Sequence, residues 1–351
     1  MRGIMGNLNS LSRRKFISTT AAATAAIAMP GLPGFARQGV AGAPVLDPDW
    51  SKAGIIATRN SPYAKLKSVP VQAVTIETGF WSKRRETNVT SSIPSMRQEL
   101  LDHGRMDNFL RLSGQSQAPQ RGPVYSDSDI YKWVESVGFA LQSQPLPAPE
   151  LRSQTDAMIR EVVAVQEPSG YLNTYYVGDK KSDRMQWKTQ TTGHELYNIG
   201  HLLQGAIAYY RATGDPTLLQ AGMRFVDGFL LPGYGPGANQ APIVAGHPEI
   251  EMSLVELYRT TGNKRYLDLA GYILQGDSRI PLTQRQIVYM FCGIPFTSRT
   301  KLEGHAVRAM YACCGATDYY LETGDPAYWK ALNVLWSDLS AHRIDVLALI
   351  K

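Results

Sequence analysis

Cysteine is scarce in this chain, since only Cys292, Cys313 and Cys314 occur among 351 residues. The number is odd and two of the three are adjacent, so no framework of paired disulfides is present. Hydrophobic residues make up 44% of the sequence, which is enough for a sizeable core in a chain of this length. The scarcity of cysteine therefore excludes the small, disulfide-stapled class of protein.

Long apolar runs are also missing. The one apolar stretch, which ends at Met29 and Pro30, is too short and too weakly apolar to span a bilayer permanently. It follows Arg13 and Arg14, and this order of basic, apolar and small residues predicts a twin-arginine export signal over residues 1–36. A disordered basic tail is the alternative. We expect a periplasmic or secreted protein with no membrane contact after the signal is cleaved.

A strong net charge is missing once that signal is set aside. Four of the 36 basic residues lie in 1–36, where there is no acid, so 32 bases face 30 acids in the rest of the chain. Aromatic residues are not interleaved with basic runs there. The sequence therefore argues against nucleic acid as a partner.

The chain divides by pattern into four parts. Residues 37–75 are rich in Pro, Gly, Ala and Ser, which predicts a linker or an extended arm over the surface. Residues 76–339 have helical periodicity, and residues 340–351 form a divergent tail. About nine helical segments are predicted between Asn88 and Leu339.

The helical part contains a repeat of the form Tyr-x-x-Thr-Gly-[Asp/Asn], found at Tyr210–Asp215, Tyr258–Asn263 and Tyr320–Asp325. Glycine suits the left-handed position just past a helix end, and Asp or Asn can cap the next helix. Each copy therefore predicts a tight αα-hairpin. The unequal spacings of 48 and 62 residues favour a closed toroid over a regular solenoid. The predicted fold is all-α, an incomplete (α/α)6 barrel, because a full ring needs twelve helices.

A Gly-His pair precedes each repeat, at Gly193-His194, Gly246-His247 and Gly304-His305. If the hairpins stack in parallel, the three histidines lie at one end of the fold. Glycine would let a ligand approach the backbone, and neutral imidazole, favoured by a helix N-terminus, can hydrogen-bond sugar hydroxyls. A shared sugar site is the favoured interpretation. Helix capping and a three-histidine metal site are the alternatives.

Other candidate groups carry weaker signals. His201 lies seven residues after His194, which does not fit a zinc-protease motif and indicates a packed helix residue. Cys313 and Cys314 lie among small residues in a predicted helix, which favours packing over metal binding. Five carboxylates are candidates for an acid or a nucleophile, each with a capping or solvated role as alternative: Asp127, Asp129, Glu135, Glu249 and Glu251. The last two are two positions apart, so they are expected to point to different sides.

Six motifs together resemble glycoside hydrolase family 127, the bacterial β-L-arabinofuranosidase group, from about Phe80 to about Trp336. They are Gly104–Phe109, Ser128–Trp133, Gly170–Thr174, His194–Tyr197, Gly246–Glu251 and Gly304–Arg308. The resemblance implies an (α/α)6 barrel followed by β-sandwich domains. It also implies that His194, His247 and His305 contact an arabinofuranosyl sugar.

The family's chemistry, as the resemblance implies it, uses a zinc-bound cysteine thiolate as nucleophile and a glutamate as general acid/base. In the family the acid/base glutamate follows the Trp336 region and precedes two further motifs, a Glu-Thr-Cys ligand motif and a Cys-Cys-Pro ligand and nucleophile motif. This sequence has neither after Leu339. We therefore expect a truncated chain without catalytic residues or metal ligands, with zinc needed only by a full-length member.

Three functions remain at this point. The first is a β-L-arabinofuranosidase-like glycoside hydrolase, inactive as this chain. The second is a non-catalytic sugar-binding or scaffold protein, and the third is another toroid enzyme such as a lyase or an epimerase. An incomplete ring would also leave apolar faces uncovered, which predicts aggregation or a need for a partner.

Overall fold

The computed structural model describes residues 46, 49–143 and 150–343. The predicted signal at 1–36, the start of the predicted arm and residues 344–351 of the predicted tail lie outside the described residues. Every described residue belongs to one compact unit within Pro44–Lys351.

The described part of the chain is built from helices, and it contains an isolated bridge between Tyr234 and Ala241 but no strand. The α-helices are α1 Phe80–Thr87, α2 Ile93–Asp102, α3 Asp107–Leu110, α4 Asp127–Gln142, α5 Glu150–Ala164, α6 Trp187–Gln190, α7 Glu195–Thr213, α8 Thr217–Phe225, α9 Leu231–Gly233, α10 Ile250–Thr261, α11 Lys264–Gln275, α12 Gln284–Met290, α13 Ala306–Thr323 and α14 Pro326–His342. Two π-helical turns, Asn88–Ser92 and Val226–Leu230, continue α1 and α8. The predicted all-α class is confirmed.

Helices alternate between an inner and an outer position. The inner helices α4, α7, α10 and α13 pack side by side in chain order, and each forms a hairpin with the helix that follows it, α5, α8, α11 or α14. Together with α2, these are the nine longer helices predicted between Asn88 and Leu339. The result is a helical toroid in which the N-terminal ends of successive inner helices lie together.

The three predicted hairpin turns are confirmed in detail. Each glycine has a left-handed backbone, with φ of 74°, 71° and 68° at Gly214, Gly262 and Gly324. Its amide donates a hydrogen bond to the carbonyl of the repeat's tyrosine at 2.7 to 2.8 Å. The side chains of the following Asp215, Asn263 and Asp325 each accept from an amide two residues later. Asn263 and Asp325 are the caps of α11 and α14, whereas the cap position of α8 is Pro216.

Glycine also sets how closely the inner helices pack. A Cβ on Gly138 of α4 would lie 2.8 Å from the carbonyl carbon of Ala208 in α7. A Cβ on Gly205 of α7 would lie 2.5 Å from the carbonyl oxygen of Tyr131 in α4. The two helices therefore touch through their backbones, which holds their N-terminal ends at a fixed separation.

A buried ion-pair network joins the C-terminal ends of the inner helices α10 and α13, opposite to the ends where the Gly-His pairs lie. Arg259 contacts Glu256 at 3.0 Å and Glu322 at 2.6 Å. The predicted arm lies over this network, since the amide of Ala57 donates to Glu256 at 2.8 Å and the Ser61 hydroxyl donates to Glu322 at 2.5 Å. The arm thus covers the end of the fold remote from the Gly-His pairs.

Large apolar side chains remain exposed on the last hairpin. Trp329 and Trp336 of α14 are 54% and 64% exposed, and Phe80 and Trp81 of α1 are also exposed. These surfaces fit the expectation of uncovered apolar faces at the two ends of the helix series. In the described part of the chain, no helix combines the length and apolar character that crossing a membrane requires.

Candidate functional site

The three predicted histidines converge. The ring centroids of His194 and His247 are 5.6 Å apart, and those of His247 and His305 are 5.8 Å apart. His194 and His305 cap α7 and α13, whereas His247 lies two residues before Glu249, the cap of α10. The prediction that they share one end of the fold is therefore confirmed. Their role in binding a sugar stays a prediction.

The glycine before each histidine does not leave room for a ligand, so that part of the prediction is wrong. A Cβ at any of the three would come within 3.0 Å of a carbonyl oxygen of the chain itself. The oxygens belong to Thr189 for Gly193, Gln190 for Gly246 and Val288 for Gly304. Glycine is needed because the backbone of a short helix, α6 for Gly193 and Gly246 and α12 for Gly304, packs directly against it, which fixes the position of each histidine.

Burial keeps two of the imidazoles neutral. It lowers the pKa of His194 and lowers the pKa of His247 to about 4. Burial is the largest cause for both rings. Nδ1 of His194 lies 2.6 Å from the Thr192 carbonyl, and Nδ1 of His247 lies 3.0 Å from the Pro248 carbonyl. In a neutral ring this assigns the proton to Nδ1 and leaves Nε2 as an acceptor.

In His305 the donor and acceptor roles of the two ring nitrogens are exchanged. Its Nδ1 accepts from the Arg308 amide at 3.5 Å, which leaves Nε2 as the protonated nitrogen of a neutral ring. The cluster therefore offers both acceptors and a donor. A sugar hydroxyl both donates and accepts hydrogen bonds, so this mixture matches its chemistry.

The backbone of His194 is unusual, because its φ of 56° places a non-glycine residue in the left-handed region. The ring packs against Tyr125 at 5.1 Å and Tyr197 at 5.6 Å between centroids. Such conformations cost free energy and cluster at functional sites, where the surrounding structure holds them.

Tyr197 lies at the centre of the site, although the sequence did not single it out. Its ring centroid is 4.5 Å from that of His247 and 4.4 Å from that of His201. Its hydroxyl accepts a hydrogen bond from Lys132 Nζ at 2.7 Å. The available signal was its spacing of three residues from His194, which places both on one face of α7.

A buried acid and a buried imidazole lie beneath Tyr197. Nδ1 of His201 is 3.5 Å from Oε1 of Glu249, and neither side chain has a hydrogen bond within the described residues. Burial raises the pKa of Glu249 well above its usual value and lowers that of His201 to about 2. Both groups are therefore uncharged at neutral pH, and His201 is the packed helix residue that the sequence predicted.

Three of the other candidate carboxylates have structural partners. Asp127 accepts hydrogen bonds from the amide and hydroxyl of Thr174 at 2.7 and 2.5 Å. Asp129 pairs with Arg105 at 2.8 Å. Glu251 accepts from the Glu249 amide at 3.0 Å, so it is buried and has the capping role that the sequence analysis gave as an alternative.

Glu135 is the remaining candidate carboxylate. Its side chain is half-buried, and burial raises its pKa to about 7. The nearby Lys132 ammonium opposes this rise. The group is therefore poised to hold or release a proton near neutral pH.

The cysteines do not form a site. Cys292 is buried, Cys313 is half-buried and Cys314 is exposed, and all three are free. Burial raises the pKa of Cys292 and of Cys313 to about 12, which disfavours the thiolate. Within the ranges the structure describes, no group of three His, Cys, Asp or Glu side chains could hold a metal ion. The packing interpretation fits Cys313, which packs against a hydrophobic cluster, but not Cys314, whose side chain is exposed.

Comparison with known proteins identifies the family. Residues 73–347 match the domain described as "Beta-L-arabinofuranosidase, GH127 catalytic domain". A curated relative, the non-reducing end β-L-arabinofuranosidase of Bifidobacterium longum subsp. longum, is 28% identical over 312 residues, which are 78% of this chain and 47% of the relative.

Solved structures agree with this match. The family 127 β-L-arabinofuranosidase Ara127N from Geobacillus stearothermophilus T6 is 30% identical with a TM-score of 0.72, over 78% of this chain and 46% of that one. A second family 127 β-arabinofuranosidase is 31% identical with a TM-score of 0.69, over 77% of this chain and 43% of that one. The chain spans less than half the length of these relatives. Its sequence and its helical toroid together establish that it belongs to glycoside hydrolase family 127.

Proposed function

We propose that the three-histidine site binds an arabinofuranosyl residue of a carbohydrate, as the sugar-recognition part of a β-L-arabinofuranosidase-type glycoside hydrolase. The convergence of His194, His247 and His305 at the ends of three inner helices carries this proposal. Family membership supports the substrate class. The Bifidobacterium relative and the Geobacillus structure are both named as β-L-arabinofuranosidases, and each matches 78% of this chain.

The chemistry of the site suits a small, uncharged sugar. Acceptor Nε2 atoms on His194 and His247 and a donor Nε2 on His305 can address successive ring hydroxyls. Tyr197 and Tyr125, which pack against His194, offer apolar ring surface to the C–H groups of the sugar.

We assign neither the family's zinc nor its nucleophile to the described residues. The chemistry of a zinc-bound thiolate needs clustered ligands and a thiol that ionises easily. Cys292 and Cys313 lie in surroundings that raise the thiol pKa to about 12. We therefore propose that this chain on its own binds the sugar without hydrolysing it.

Isothermal titration calorimetry with methyl β-L-arabinofuranoside tests the binding proposal. We expect saturable heat at millimolar or lower concentration, and a loss of about tenfold in affinity for His247→Ala, which removes one hydrogen bond and ring packing. Methyl β-D-xylopyranoside is the matched sugar control. An absence of heat at millimolar ligand would contradict the proposed site.

The catalytic half of the proposal has its own assay. The purified chain, supplied with zinc, is incubated with an aryl β-L-arabinofuranoside and the released phenol is measured. We expect no release above background. Turnover comparable with that of a family enzyme assayed in parallel would overturn the proposal that this chain does not hydrolyse the sugar.

We also propose export by the twin-arginine route to the periplasm or the exterior. The support is the order of Arg13, Arg14 and the apolar stretch up to Met29 in the sequence. Replacing both arginines by lysine should retain the protein in the cytoplasmic fraction. Unchanged export of that variant would contradict this route.

A further inference from the structure

Arg308 stands apart among the buried arginines of the described chain. Its residue is only 7% exposed, and it lies in the first turn of α13, three residues after His305. The other buried arginines are Arg184, Arg211 and Arg299. Arg184 and Arg211 contact glutamates at 2.7 and 2.6 Å, and Arg299 donates to a carbonyl at 3.0 Å.

The Arg308 guanidinium has no such oxygen. Within the described ranges no carboxylate or carbonyl accepts a hydrogen bond from it, and its Nε is buried without a partner. It stacks on the face of Tyr289, with Cζ 4.5 Å from the ring centroid. Nε is the guanidinium nitrogen that is buried without a partner, so the desolvation of that nitrogen is not offset by pairing.

The charge faces the histidine cluster. Besides burial, the positive charge of Arg308 contributes to lowering the pKa of both His194 and His247. The Tyr289 ring on which it stacks lies edge-on to His305, with 5.8 Å between centroids. The start of α13 adds unpaired amides and the positive end of the helix dipole at the same place.

We propose that Arg308 and the first turn of α13 bind the carboxylate of an acidic sugar adjacent to the arabinofuranosyl residue. The inference rests on the proposed function and narrows its substrate to arabinose linked to a uronic acid. A planar guanidinium can donate two parallel hydrogen bonds to a carboxylate. The single positive charge of Arg308 matches the single negative charge of a uronate.

The test compares a pair of probes that differ only in that charge. One is a disaccharide of β-L-arabinofuranose linked to galacturonic acid, and the other is its uncharged methyl ester. Calorimetry on the full chain should give an affinity for the acid at least tenfold higher than for the ester. The difference should shrink as salt is raised, because added ions screen the pair.

Variants of Arg308 locate the effect. Arg308→Gln should bring the acid to within about twofold of the ester while leaving the affinity for the ester unchanged. Arg308→Lys, which keeps the charge, should retain part of the preference. Lys301→Gln removes an exposed cation four residues before His305 and is the control, for which the full preference is expected. The wild-type comparison stands even if Arg308→Gln fails to fold.

The outcomes separate the inference from the proposed function. Equal affinity of wild-type protein for acid and ester would overturn the inference and leave the arabinofuranosyl site standing. If Lys301→Gln abolishes the preference for the acid and Arg308→Gln does not, the inference about Arg308 would also be overturned. Binding of neither probe, nor of methyl β-L-arabinofuranoside, would overturn both.

Discussion

Gly246→Ala adds a single methyl group where two backbone segments cross beside His247. The new Cβ would lie within 3.0 Å of the Gln190 carbonyl oxygen and of two backbone atoms of Thr191. Backbone atoms cannot rotate away as the end of a flexible side chain can. The segments must therefore separate, and His247 moves with the one that carries it.

The expected cost follows from the size of that clash. Inserting one methyl group into a packed site costs about 1–3 kcal/mol, and replacing glycine recovers about 0.4–1 kcal/mol through the unfolded chain. A net loss of roughly 1–2 kcal/mol lowers the melting temperature by about 2–6 °C in a domain of this size. A misplaced His247 hydrogen bond should weaken sugar binding by about 2–10-fold.

The assay pairs thermal unfolding with calorimetry on methyl β-L-arabinofuranoside. Gly233→Ala is the matched control, because no atom lies within 4 Å of its new Cβ and its backbone is not left-handed. We expect the control to change stability by no more than about 0.5 kcal/mol.

Two results would contradict the proposed role of Gly246. A Gly246→Ala variant that melts and binds like Gly233→Ala would show that the crossing does not constrain this residue. Weaker binding without any loss of stability would instead show that the glycine leaves space for the ligand.

Three further predictions concern the core, the pH response and the surface. Arg259→Met should cost about 3–5 kcal/mol in urea unfolding because Asp318 and Glu322 lose the buried cation with which both pair. Lys264→Met, at an exposed pair, should cost under about 1 kcal/mol, and equal losses would contradict the network's role. Because burial lowers the pKa of His247 to about 4, the affinity for the sugar should stay constant as pH falls to about 5.5 and should drop only near pH 4. A decline in affinity centred at about pH 6.5, the pKa of a free imidazole, would contradict a lowered His247 pKa. Trp336→Ser, which removes an exposed ring, should reduce self-association measured by sedimentation and leave the melting temperature unchanged. Self-association equal to that of the wild-type protein would show that Trp336 does not contribute to the associating surface.

The hairpins could be predicted because their signals are local. A tyrosine, a left-handed glycine and a capping side chain lie within six consecutive residues, as in Tyr258–Asn263, and each acts on its own stretch of backbone. The convergence of the histidines needed one further assumption, that the hairpins stack in parallel. The packing of α4, α7, α10 and α13 in chain order satisfies it.

Other parts of the site could not be predicted, because they depend on contacts between distant elements. Tyr197 becomes central only when α4 brings Lys132 to its hydroxyl. The glycine of the Gly-His pair was assigned to ligand access, because the packing of α6 or α12 against it is visible only in three dimensions. Arg308 carried no signal of its own, because the absence of a partner is a property of the folded chain.

His194, His247 and His305 are proposed to bind one sugar together. Nuclear magnetic resonance of the chain with histidine rings labelled with ¹⁵N tests this most directly, since all six histidines report at once. On titration with methyl β-L-arabinofuranoside, we expect the ring signals of these three to shift with a common dissociation constant, while exposed His103 and His342 stay fixed. If the protein is saturated with the sugar and none of the three ring signals shifts, or only one of them shifts, binding by the three histidines together would be contradicted.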